Sequence, residues 1–147
     1  MKKMAPVVLA IAATAALASC EKPPPGVTVF TGTTSERLAP TCFSWDGQVD
    51  PQQCLNDAAQ KAASGQTATL EVVPENVVGI SVDPAIAEQG WYPSIAGQRL
   101  SQEAITETYF RFSFPRVPAN PQGYPLAIIS EGEQKGVWAV RMDVQGG

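Results

Sequence analysis

Three cysteines, at positions 20, 42 and 54, and no histidine frame the chemistry open to this 147-residue chain. Without histidine neither a Ser-His-Asp triad nor a Cys-His pair can form, and a mixed thiolate–imidazole zinc site is excluded. A Ser-Lys dyad needs no histidine, but the one S-x-x-K match runs from Ser19 to Lys22. Paired carboxylates can hydrolyse glycosides. Glu103 and Glu107 would share a face if "SQEAITET" were helical, yet solvated surface charge explains them better. "DGQVD", Asp46 to Asp50, offers carboxylates for calcium but lacks the alternating oxygen ligands and closing glutamate of a calcium loop. No glycine-rich stretch could cradle a phosphate. The residue types therefore predict a protein that is not an enzyme and holds no metal or cofactor.

The elements that position these residues begin at the N-terminus. Lys2 and Lys3 precede an uncharged, largely apolar run from Met4 to Ser19, the layout of a secretory signal peptide. The run is short of the ~20 apolar residues that span a membrane, and Pro6 breaks it. Leu17-Ala18-Ser19-Cys20 resembles the bacterial lipoprotein signal: an aliphatic residue, two small residues, then cysteine. The resemblance implies a diacylglycerol thioether on Cys20, cleavage before it, and further acylation of the new amine by a palmitate-type chain. The alternative is an ordinary signal peptide with an incidental cysteine. Against it, cysteine is scarce here and falls at the one position lipidation requires. Two or more chains anchor a protein stably, so the chain is expected at the cell membrane, lipid-anchored on the extracytoplasmic face. Cleavage also destroys the Ser19–Lys22 pair.

Removing residues 1–19 from 147 leaves 128, and loss of Lys2 and Lys3 moves the formal charge from −4 to −6. An acidic surface argues against nucleic acid, whose phosphates demand a basic patch. Residues 20–26 form a lipidated, proline-rich linker, semi-rigid at ~3.1 Å per residue, which keeps the fold within ~20 Å of the bilayer. Residues 27–147 suit one domain with one core. In an exported domain the remaining pair, Cys42 and Cys54, reads as a disulfide worth ~3 kcal/mol. A reactive or metal-binding thiol pair is the weaker reading, because the spacing is not C-x-x-C.

Short alternating runs predict half-buried strands: "GVTVFTG", "RLAPTCF" with Pro40 marking an edge or bend, "ATLEVV", "VVGISV", "WYPSIA", "YFRFSF", "LAIIS" and "GVWAVRMDV". In the last, Trp138, Val140, Met142 and Val144 share a face while Arg141 and Asp143 point outward, and "SEGEQKG" before it is a hairpin loop. Phe110, Phe112 and Phe114 share another face. "DPQQCLNDAAQKAASG" reads as a helix, with Asp50 as N-cap, Pro51 at the first position and Gln53 placed for a capping box. Leu55, Ala58, Ala59 and Ala62 would be its apolar stripe and Gly65 its end. "DPAIAEQG" repeats the Asp-Pro start as a single turn. The sum is mainly β: an immunoglobulin-like β-sandwich of seven to eight strands with one short helix.

From Pro24 to Val144 the layout resembles a family of actinobacterial lipoproteins with a domain of unknown function. "PPPGVTVFTG", "GISVDPAIAEQGW" and the pair "PLAIISEG" and "GVWAVRMDV" carry the likeness. It implies an exported immunoglobulin-like domain and brings no catalytic residue. Trp138 is expected in the core, and Trp91 packed. Trp45, inside the segment bounded by Cys42 and Cys54, is either buried against the short helix, the favoured reading, or a contact residue for a partner. The function expected is a non-enzymatic binding or accessory module for another envelope protein. The alternative is a carrier or sensor of a small apolar ligand such as a lipid, with the phenylalanine face lining its pocket.

Overall fold

The computed structural model describes residues 22–46, 48–133 and 135–145. The segment expected to be a signal peptide, residues 1–19, and Cys20, the expected lipidation site, lie outside them. Strand β1, Val27–Thr31, buries Val27, Val29 and Thr31 and turns Thr28 and Phe30 outward. It pairs antiparallel with β2, Thr34–Leu38, through a turn in which Gly32 adopts φ +56°, a left-handed conformation open to glycine. After Ala39 the chain crosses to the other sheet as β3, Pro40–Phe43. "RLAPTCF", expected as one strand, is thus split between two sheets. Pro40 has no N–H for a ladder, and β3 has the edge position that this demands.

Helix α1, Pro51–Ala63, starts as expected: the Asp50 carboxylate accepts the N–H groups of Gln52 and Gln53. It ends with Gly65 at φ +73° while Gln66 N–H donates to Lys61 O and Gly65 N–H to Ala62 O, the paired bonds of a Schellman motif. Its buried residues are Cys54, Ala58 and Ala62. Leu55 is half-buried and Ala59 exposed, so the stripe is turned from the expected one towards Cys54, which the bridge to Cys42 draws inward.

The remaining elements are β4 (Thr69–Val72), β5 (Val77–Val82), α2 (Pro84–Gln89), β6 (Trp91–Ile95), β7 (Gln98–Arg99), β8 (Tyr109–Ser113), β9 (Tyr124–Ser130) and β10 (Gly136–Val144). Among the described residues this gives ten strands and two helices, more strands than the seven to eight expected. One sheet runs β2-β1-β5-β8 and the other β3-β10-β9-β6-β7. The free side of β10 is shared: β3 lies antiparallel to its first part and β4 parallel to its end. All other pairings are antiparallel.

The fold is a β-sandwich. Val29, Ile80 and Phe114 meet Trp91, Leu126, Trp138 and Val140 in one core. A second cluster lies on the outer face of the larger sheet, where Cys54 and Ala58 of α1 cover Ala127, Ile129, Val137 and Ala139. Strands β9 and β10 are therefore buried on both faces, which is why their sequences are near-continuous apolar runs.

Candidate functional site

Three regions carry side chains that could act on another molecule. The first is where the linker meets the domain. Gly26 N–H donates to Asp83 Oδ2 at 2.7 Å, and the Pro25 carbonyl accepts from Trp138 Nε1 at 3.0 Å. Asp83 stands at the N-cap of α2, yet its carboxylate makes no capping bond; it is turned instead to Gly26 and to Arg37. The last residues of the linker are thus bonded to two separate elements before β1 begins.

The second region adjoins the first. Cys42 on β3 and Cys54 on α1 are bridged, with their Cα atoms 6.1 Å apart. Trp45 follows β3, half-buried. Its ring meets the Phe43 ring edge-on at 4.8 Å, and the Lys22 ammonium lies 4.6 Å from its centroid. Trp45 is therefore packed against the linker and β3, rather than against α1 as expected. Phe43 in turn touches Trp138, so an aromatic chain leads from this loop into the core. An open groove of about 650 Å³ runs here, lined by Lys22, Pro24, Pro40, Phe43, Trp45 and Asp46. Asp46 closes the turn by accepting from the Ser44 hydroxyl and from Gln48 N–H. These bonds, the hydroxyl's above all, hold its carboxyl below the ordinary value of 3.8. The turn and the α1 cap account for Asp46 and Asp50, the two ends of "DGQVD". Among the described residues no group of three or more histidines, cysteines, aspartates or glutamates could hold a metal ion.

The third region is the opposite end of the sandwich. Phe112 and Phe114 open, with Ile95, Leu100, Val117 and Tyr124, onto a cleft of about 410 Å³ between the sheets. Phe110, on the same face, instead packs edge-on against Trp91. Val73 and Val77, 42% and 51% exposed, flank the turn beside this cleft. Met142, which pairs with Tyr124, and Val144, which pairs with Val72, place this end ~13–20 Å along β10 from Trp138 at strand spacing.

A further cleft of about 570 Å³ separates α1 from β6 and β7, with Leu55, Tyr92, Arg99 and Ile129 among its walls. Arg99 stacks on Tyr92 at 4.0 Å and pairs with Glu131 at 2.7 Å, so its charge is already matched. Glu103 and Glu107 do not share a helical face. Their segment is irregular and bridges Trp91 through Ile105, and the Glu107 carbonyl accepts from Trp91 Nε1 at 2.8 Å. Trp91 and Trp138 are both fully buried. Among the described residues no helix is long and apolar enough to cross a membrane.

What the described residues define is a disulfide-stapled β-sandwich with one helix laid on its outer face. The chain matches no family model, no curated protein and no solved structure.

Proposed function

We propose that the mature chain is a lipoprotein, anchored through Cys20 on the extracytoplasmic face of the cell membrane, that serves as a non-enzymatic binding or accessory module for another envelope protein. The resemblance to actinobacterial lipoproteins belongs to the same reading. The observation that carries it is the double pinning of the linker at Pro25 and Gly26. Pro25 is five residues from Cys20, a span of ~16 Å at ~3.1 Å per residue. A tether that short, ending in fixed bonds, supports a domain held in one orientation over the bilayer. Its far end, with Val73 and Val77 exposed, is then free to meet a partner.

A second reading, a carrier of a small neutral apolar ligand, is favoured by the cleft that Phe112 and Phe114 line, since none of its lining residues is charged. Native mass spectrometry of the protein extracted gently from its own membranes separates the two. A co-purifying protein in fixed ratio supports the accessory module. A discrete added mass of lipid size, beyond the covalent acyl chains, favours the carrier. A bare lipidated monomer contradicts both as stable complexes.

A further inference from the structure

Chain geometry and one cation–π contact place Trp45 in the neighbourhood of Cys20. Lys22 is two residues from Cys20, and two extended residues reach at most ~7 Å. One lysine side chain further, its ammonium lies 4.6 Å from the centre of the Trp45 ring. The linker is fixed three residues beyond Lys22, where Pro25 and Gly26 are bonded to Trp138 and Asp83. The headgroup layer on each side of a bilayer's hydrocarbon core is ~5–8 Å thick, the scale of the backbone step from Cys20 to Lys22, and the lysine side chain spans the rest of the way to the ring.

The side chains suit such a layer. Tryptophan is enriched at the membrane–water interface, where its ring is half in and half out of the apolar phase, and lysine lays its stem along apolar surface with its charge in water. The other two tryptophans are wholly buried and donate inside the protein, to Glu107 O and Pro25 O. Trp45 is instead half-buried, on a groove whose walls also carry Lys22, Pro24 and Phe43. Asp46 adds a carboxylate to the same groove, so it does not select for anionic lipid.

We propose that Trp45, with Phe43 and Lys22, seats this end of the domain in the headgroup layer of the membrane that holds Cys20. The inference rests on lipidation of Cys20. The bilayer covers the Trp45 groove, and the cleft at Phe112 and Phe114 points away from it.

The test uses mature protein purified from its own membranes, its acyl mass on Cys20 confirmed, and reconstituted into phosphatidylcholine vesicles with and without brominated chains. Brominated lipid should quench the Trp45 share of the emission and spare the buried Trp91 and Trp138. The W45F variant should lose the quenching while the emission of the other two reports an intact fold. Replacing part of the phosphatidylcholine with phosphatidylglycerol should change the quenching little. A chain without acyl mass overturns the anchor and this inference with it. An acylated, vesicle-bound protein with no bromine quenching overturns the seating alone. So does a photocrosslinker at position 45 that labels another protein in native membranes rather than lipid.

Discussion

The indole N–H of Trp138 donates to the carbonyl of Pro25 at 3.0 Å, across 113 positions of sequence. That bond joins the end of the linker to β10 of the larger sheet. The same ring touches Phe43, which supports Trp45. Replacing Trp138 by phenylalanine should leave a buried carbonyl without its donor, at a cost of ~1–3 kcal/mol, read as a lower urea midpoint with an unchanged slope. Limited proteolysis should then cut faster between residues 22 and 26.

Asp83 and Arg37 should behave unequally although they form one ion pair at 3.1 Å. Arg37 is mostly exposed, and exposed pairs contribute little, so Arg37→Ala should shift stability by no more than ~0.5 kcal/mol. Asp83→Ala also removes the acceptor for Gly26 N–H, a charge-assisted bond of 2.7 Å. It should cost ~1–2 kcal/mol. Denaturant titration of the two variants side by side checks the ranking.

The Cys42–Cys54 bridge closes a loop with a sequence separation of 12. Replacing both cysteines by alanine should lower stability by ~3 kcal/mol, and adding reductant to the unmodified protein should do the same. Alkylation before reduction should label neither residue. Labelling of either would mean the bridge is not formed. Helix α1 should persist, because its caps and the packing of Ala58 and Ala62 do not depend on sulfur.

Asp46 titrates below 3.8 in the folded chain, so its bonds favour the ionised form. The turn's stabilisation is therefore complete above the ordinary carboxylate value and is lost as pH falls through the lowered one. Ser44→Ala removes the largest cause and should move the carboxyl back up towards 3.8. Carbon-detected NMR titration of the Asp46 carboxyl reads both. A value that does not move in the variant would remove Ser44 as the cause.

Val73 lies outside any strand and is 42% exposed. Val73→Asp should change stability by less than ~0.5 kcal/mol, yet it places a charge on the end proposed to meet a partner. Loss of the co-purifying protein at unchanged stability is the expected result. Retention of that protein would move the contact elsewhere.

The parts that were legible in the sequence are those with local causes. Asp50, Pro51 and Gly65 announced α1, because capping depends on neighbours a few residues away. The phenylalanines of β8 announced a face through strict alternation. Pro40 announced an edge or bend, but the step to the other sheet at Ala39 depends on pairing with β10, far along the chain. Val137 and Ala139 are buried only because α1 lies over them, a fact that alternation within β10 cannot carry. The stripe of α1 was misplaced by the same logic: a bridge to Cys42 turned it towards Cys54. Phe43, two residues away, is a local neighbour of Trp45, whereas Lys22 meets it where the linker pinned at Pro25 passes the same end. That pinning depends on a donor more than a hundred residues away.

The pinned linker also decides how the domain answers to force. Traction at residue 22 reaches β1 through Pro25 and Gly26, and β1 is flanked by β2 and β5. Antiparallel ladder bonds lie across the strand, so the component of a pull along β1 strains both ladders at once in shear, where a sideways pull would open them one after another. The Trp138 bond diverts part of that pull to β10. A strand seated between two ladders where the linker enters would let the sandwich act as a mooring for the proposed anchor, stiffest along β1.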